Sequence, residues 1–280
     1  MRIAEKTTVS EGARTQIPIL PDHRRRTFPF NTDMLISVGF AFFLLALWQW
    51  IITVGILDSR LWPTPTTIAT EMERMLRTGQ LQPHIRATFI RVLWAFTVGS
   101  ALGIVLGLAM GMIRPIRAMF DPIISILSVM PKIAILPLVY LAFGGYGEAP
   151  RTVTVGISVF AVMAINAMGA VQTIDHVLLE AGRNFGANWW QMFRHVLLPG
   201  SLPTLFSGLR ISAATALLVV IAAEFSYTSE GLGFLIWSSW STLSTTRMFV
   251  GLIAIALLGL VFTLVLNLAD RLLIPWKRPR

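Results

Sequence analysis

Six runs of apolar residues, at roughly 34–56, 86–113, 118–144, 151–171, 203–226 and 248–273, divide the chain. A hydrocarbon core of about 30 Å calls for about 20 helical residues, and every run meets that length. No water is present at that depth to satisfy backbone N–H and C=O groups, so helices are the expected structure. The pattern therefore predicts an all-α integral membrane protein with about six transmembrane helices. A polar tail over 1–33 precedes one membrane domain over 34–273, and a short tail over 274–280 follows it.

Finer patterning adds detail to these runs. Between the first two, Thr64 and Pro65 read as a helix start and Gly79 as its end. Ile68, Met72, Met75 and Leu76 then share one face. The result is a short amphipathic helix on the outer surface, a packing lid with no ligand role. In the second run Gly99, Gly103, Gly107 and Gly111 recur every four residues. They form a ridge that lets another backbone come close, within the subunit or across a dimer. Pro122, Pro131 and Pro137 break the third run, because each lacks a backbone donor. Carbonyls freed in this way are tolerated where they line a cavity, so this run is expected to form a pathway wall. Lys132, placed on a straight helix from residue 118, would lie about 21 Å along it. There it either faces the pathway or, if 118–130 lie in the interface, snorkels to the cytoplasm.

Composition agrees with the pattern. The chain is 55% hydrophobic and 13% charged, where soluble domains carry about 25% charged residues. A net charge of +9 raises nucleic acid as a partner, yet the basic residues gather at the ends of apolar runs and not on one solvated face. With the N-terminus inside, Lys and Arg number fourteen on the inner side and seven on the outer. That asymmetry predicts both termini in the cytoplasm. Arg24, Arg25 and Arg26 precede a first run of full bilayer length without a small-residue cleavage site, which reads as a retained helix. No cysteine is present, so thiolate chemistry is excluded. None of Lys6, Lys132 and Lys277 sits in a P-loop, and the four histidines lack metal-ligand spacing. No nucleophile–base arrangement stands out, and the chain is not expected to be an enzyme.

Residues 180–199, EAGRNFGANWWQMFRHVLLP, lie in the longest inner segment, 172–202. Val177, Ala181, Phe185, Trp189, Met192, Phe193 and Val196 recur at helical spacing. Gly186 permits a turn between two short helices, Pro199 is expected to stop the second, and Pro203 to open the fifth span. An interfacial helix anchored by Trp189 and Trp190 would also be amphipathic, but needs neither the Gly nor the terminal Pro. The spacing E-A-x4-G-x9-V-x-L-P resembles the coupling loop of the permease subunit of bacterial ABC importers. Gly182 stands in the position of a second Ala, and Val196 in that of an Ile. Further stretches are similar to the nitrate, taurine and alkanesulfonate branch: WPTPTTI at 62–68, residues 84–111, residues 121–144 with FGGYGEAPR departing after 143, and AEFSYTSEGLGFLIW at 223–237.

The resemblance implies a type I ABC importer permease in the bacterial inner membrane, working as a homodimer. It implies two copies of an ATPase subunit, which carry ATP and Mg that this chain does not bind, and a periplasmic or lipid-anchored solute-binding protein. Glu180, Ala181, Gly182, Gly186, Val196, Leu198 and Pro199 would dock that ATPase. Pro131, Lys132, Pro137 and Glu224 are the pathway candidates, Glu224 either facing the pathway or meeting water at the interface. Arg210 is expected to snorkel inward, and Asn166 to hydrogen-bond a neighbouring helix. A small oxyanion such as a sulfonate or nitrate is the expected substrate, with neutral heterocyclic vitamin precursors as the other class. Two readings compete. A self-sufficient secondary transporter would need in-span carboxylates and paired broken helices; a membrane anchor for an enzyme would gain nothing from a proline-broken span.

Overall fold

The computed structural model describes residues 30–226 and 228–275. It divides into two units, 1–47 and 48–280. The first unit contributes most of α1, Phe30–Thr53, whose described side chains up to Leu47 are apolar except for Ser37 and are exposed, as a lipid-facing helix requires. The tails over 1–29 and 276–280 lie outside the described residues.

The second unit is helical among its described residues. Its order is α2 (Pro65–Arg77), α3 (Gln82–Met112), α4 (Arg114–Val129), a 3₁₀ turn (Lys132–Ile135), α5 (Leu136–Ala142) and α6 (Glu148–Gln172). Then follow α7 (His176–Asn184), α8 (Trp189–Met192), a π turn (Phe193–Leu197), α9 (Leu198–Glu224), α10 (Leu232–Ser241) and α11 (Thr245–Leu273). Among the described residues five helices are long and apolar enough to cross a membrane, and the α4–α5 pair makes a sixth if counted as one span.

The glycine ridge decides the packing, and its partner is α6. A methyl group added at Gly99 would lie 2.6 Å from the Gly156 carbonyl oxygen; at Gly103, 2.8 Å from that of Phe160; at Gly107, 2.3 Å from that of Ala164. At Gly111 it would meet Val171 Cβ at 2.6 Å. Only hydrogen fits along this seam, so α3 and α6 touch backbone to backbone. On its far side α6 receives α9 through Gly208, where a Cβ would lie 2.6 Å from Asn166 Cβ. Asn166 itself donates to the Val162 carbonyl of its own helix at 2.8 Å, so it does not bridge to a neighbour. Val92, Ala95, Val155, Val159, Ala216, Val220, Leu232 and Val250 fill the space among α3, α6, α9, α10 and α11.

The amphipathic segment forms as the sequence indicates. Thr64 caps α2 by accepting from the Thr67 amide at 3.2 Å, Pro65 opens it, and Gly79 follows it at φ +75°. Ile68 and Met75 are buried, whereas Leu76 remains exposed, so the buried face is narrower than expected. Glu71 receives Arg74 at 2.6 Å and, from α11, Arg247 at 3.2 Å, which ties α2 to the start of α11.

Two expectations about prolines need correction. The third run is broken as expected, but at Pro131 and not at all three prolines: α4 and the Lys132–Ala142 segment meet at 104°, with Pro131 extended at the corner. A helical rise from residue 118 therefore does not give the depth of Lys132. Pro122 lies inside α4 and Pro137 in the first turn of α5, where its missing donor costs little. Pro199 likewise does not end a helix, since α8 runs through the π turn into α9 with Pro199 in the first turn and Pro203 inside. The Leu198 amide donates five residues back, to Phe193, and this wider turn accommodates a residue with no N–H to give.

Gly107→Ala is expected to cost about 1–3 kcal/mol by overpacking the seam. Gly169→Ala, with nothing within 4 Å, is expected to leave stability unchanged or to raise it by up to about 1 kcal/mol. Thermal midpoints in detergent compare the two. The hydrogen bond from Arg74, aided by that from Arg247, holds the Glu71 carboxyl below its ordinary range despite partial burial. A depressed pKa contributes stability that is present above the unfolded value and lost as pH falls through the folded one. The difference in midpoint between the wild type and Glu71→Gln should accordingly be present at neutral pH and vanish in acid.

Candidate functional site

Three features sit at defined places on this scaffold: a protruding loop at one end, an elbow, and a buried charge cluster at the other end. The loop comes first because the sequence singles it out. Asp175 caps α7 by accepting from the Val177 amide at 2.9 Å. Asn188 and Gln191 close a reciprocal capping box at the start of α8, at 2.8 and 2.9 Å, a device readable from N-x-x-Q that the motif spacing alone did not reveal. Between them Gly186 adopts φ +73° with open space around it, so its role is conformational and not one of close packing.

The apolar stripe of this loop splits in two. Met192, Phe193 and Val196 turn inward, and Phe193 and Leu197 rest on the buried cluster of Leu108, Met163, Ala167 and Leu205. Gly182 explains its own departure from Ala. A Cβ there would lie 2.8 Å from Met192 Cε and 3.5 Å from Val196 Cγ2, so the glycine lets α7 lie against the following turn. Ala181, Leu198 and Pro199 are partly buried along the same contact. The other half of the stripe faces outward: Phe185 is 91% exposed at the tip, beside Val177 at 68% and Trp189 at 63%. Glu180 is also exposed and stands 3.4 Å from His176. An anchored base under an exposed aromatic tip is the shape of a docking knob.

At the elbow, Lys132 is half-buried and its ammonium donates to the Ser128 carbonyl, one of the acceptors left at the end of α4. Pro131 and Pro137 flank it on exposed backbone. Val129 and Leu141 on either side are 85% and 79% exposed.

The opposite end holds a cluster that sequence reasoning placed differently. Glu224 neither meets water nor faces open space: it is wholly buried. Arg91 Nη1 donates to it at 2.5 Å, Thr88 Oγ1 at 2.8 Å and the Gly233 amide at 2.8 Å. A buried carboxylate needs such counter-charges and donors, and the N-terminus of α10 adds favourable dipoles. Arg91, itself buried, spends its Nε and Nη2 on Glu148 and its Nη1 also on the Glu230 carbonyl at 3.1 Å. Arg151 reaches Glu148 at 3.0 Å, and the Leu232 amide donates to Thr88 Oγ1 at 2.8 Å. The ends of α3, α6 and α9 and the start of α10 are thereby joined. Gly231, at φ +126°, and Gly233 are required here, since a Cβ on either would fall within 2.8 Å of Glu224 atoms. Thr88, Arg91 and Glu148 were not singled out from sequence. The signal was an unpaired Arg and an unpaired Glu each inside an apolar run, which must find partners. At the end that carries the α7–α8 loop, Arg210 does not snorkel either: it pairs with Asp270 and links α9 to α11.

The chain has relatives among known proteins. Residues 99–279 match the binding-protein-dependent transport system inner membrane component family, and the chain belongs to that family. It is 29% identical over 265 residues to the taurine transport system permease protein TauC of Escherichia coli strain K12, covering 91% of this chain and 95% of that one. It is 32% identical over 234 residues to the putative aliphatic sulfonates transport permease protein SsuC of the same organism, covering 84% and 89%. To the riboflavin transport system permease protein RibX of Chloroflexus aurantiacus it is 31% identical, covering 84% and 87%. Its fold is similar to a chain of the MetNI methionine ABC transporter (TM-score 0.56, 23% identity, 72% of this chain and 97% of that one). It is likewise similar to a chain of an amino acid ABC transporter (TM-score 0.53, 22% identity, 70% and 97%). The chain is the multi-pass, membrane-spanning permease of an ABC transport system, with the type I importer permease fold.

Removing the Glu224 carboxylate takes from Arg91 one of its two carboxylate partners and leaves the buried Thr88 hydroxyl and Gly233 amide without their acceptor, at about 1–3 kcal/mol for each unsatisfied group. Glu224→Ala is therefore expected to lower the thermal midpoint in detergent far more than Glu73→Ala, whose carboxylate is exposed on α2. Equal midpoints for the two variants would show that the cluster does not hold this end together.

Proposed function

We propose that two copies of this permease form the translocation path of an ATP-driven importer for a small sulfonate, powered by a separate ATPase that docks on the α7–α8 loop. Both termini and this loop face the cytoplasm of a bacterial inner membrane, and a solute-binding protein delivers the substrate at the α2–α10 end. ATP and Mg belong to the two ATPase copies and not to this chain. The observation that carries the reading is the loop itself: an inward-packed base around Gly182, Met192 and Val196 that holds Phe185, Trp189 and Glu180 out as an exposed face. A bare interfacial helix would bury its aromatic side chains in headgroups and has no need of a glycine-built tip. A sulfonate is favoured because relatives matching most of this chain carry taurine and aliphatic sulfonates in their names. The half-buried Lys132 ammonium at the elbow suits an anion. It has three donors, and one is engaged by Ser128.

Phe185→Ser and Gly186→Val test the loop, the first by removing the exposed tip and the second by straining φ +73° with a β-branched residue. In both, recovery of the ATPase with the purified permease should fall at least about ten-fold, since 1.4 kcal/mol is a factor of ten in binding. Uptake should fall with it, while membrane insertion stays normal. Full ATPase recovery and full uptake in both variants would sink the reading. Lys132→Ala should reduce taurine uptake by about the same factor, and Lys132→Arg should largely restore it. Unchanged uptake kinetics would leave Lys132 with only the Ser128 carbonyl to serve.

A further inference from the structure

A groove of about 1360 Å³ runs between α3 and α6 at the α2 end, apart from both loop and elbow. Its floor is apolar: Ile90, Trp94, Val98 and Leu102 recur every fourth residue along α3, opposite Val153 and Phe160 of α6. Trp94 is 62% exposed and Leu102 57%, so the trough is open at the side. Its mouth is charged. Glu148 is already neutralised there by Arg91 and Arg151. Arg86 and Glu230 also line the mouth, and neither side chain enters an ion pair among the described residues.

The geometry points to a membrane phospholipid as the occupant, with one acyl chain in the trough, its phosphate at Arg86 and an ethanolamine ammonium at Glu230. Length is the first argument. From Ile90 to Leu102 the trough runs about 18 Å at 1.5 Å per residue. That is close to the single leaflet, about 15 Å, of a 30 Å hydrocarbon core. Leu102 is the last α3 residue along the trough and Phe160 the last of α6. A transmembrane helix from a second copy would cross both leaflets and be held along only half its length. Charge is the second argument. A guanidinium pairs with phosphate through parallel N–H donors, and an unpaired Arg at the edge of hydrocarbon lies at headgroup depth. An acidic residue at the same mouth, Glu230, is repulsive to a purely anionic head and complementary to a zwitterionic one. The site is independent of the substrate and of the ATPase reading, since it rests only on the chain spanning a bilayer.

The test is lipid retention by the full-length permease, purified from nanodiscs of equimolar phosphatidylethanolamine and phosphatidylglycerol, washed in detergent and measured by mass spectrometry. Wild type should keep about one phosphatidylethanolamine per chain. Arg86→Gln and Val98→Trp should each lose at least four-fifths of it, whereas Leu264→Trp, on the exposed face of α11, should keep it. No retained lipid in the wild type, equal retention of phosphatidylglycerol, or wild-type retention in both groove variants would overturn the proposal. Because the chain has no cysteine, Val98→Cys places a single thiol in the trough. A benzophenone attached there and photolysed in the membrane should form a lipid adduct. A cross-link joining two copies of the chain, read as a covalent dimer on a denaturing gel, would show a protein helix in the groove and overturn the proposal as well.

Discussion

The closeness of α3 to α6 sets the position of nearly everything else. Lipid tails are as apolar as the side chains, so helices in a bilayer gain little from burying leucine and much from close contact. Four glycines on one ridge turn that constraint into a seam in which backbone carbonyls of α6 lie against α3. The α6 helix then serves as the central post, flanked on its other side by α9 through Gly208, with α10 and α11 filling in behind.

The two ends of this bundle solve opposite problems. At the α2–α10 end, chain segments that leave the membrane must return to it, and they are held by buried charge. Glu224, Arg91, Thr88, Glu148 and the Gly233 amide join four helices around two carboxylates, and Arg247 adds α2 to α11 through Glu71. At the other end, the chain between α6 and α9 projects outward on its own capped helices. Its apolar side chains divide between an anchored base and an exposed tip. One end is closed on itself and the other exposes an aromatic tip. Between them the α4–α5 elbow breaks the regular packing, placing exposed apolar side chains and one ammonium at its corner.

Much of this was legible in the residues, and the misses share a cause. The spans, the cap on α2, the glycine ridge and the turn at Gly186 depend on local periodicity and on backbone allowances that individual residues impose. The prolines were half-read. Sequence marks where a donor is missing but not how the chain compensates, and here it compensates by a 104° bend at Pro131 and by a π turn before Pro199. Charged residues within apolar runs were read as snorkelling or solvent-facing because their partners lie far away in the chain. Arg91 and Glu224 are 133 residues apart, and Arg210 and Asp270 are 60.

By itself, the sequence determined that this protein is a helical bundle for a bilayer, with a glycine-hinged knob of a recognisable spacing. Those properties follow from hydrophobic length, helical period and the conformations that glycine and proline allow, all of which act over a few turns. Tertiary structure alone decided which helix the glycines face and which carboxylate each arginine neutralises. It also decided which half of the loop's apolar stripe is free and where an amphipathic groove remains between α3 and α6. Each of these depends on surfaces brought together from distant parts of the chain, where close packing and the cost of buried charge select one arrangement.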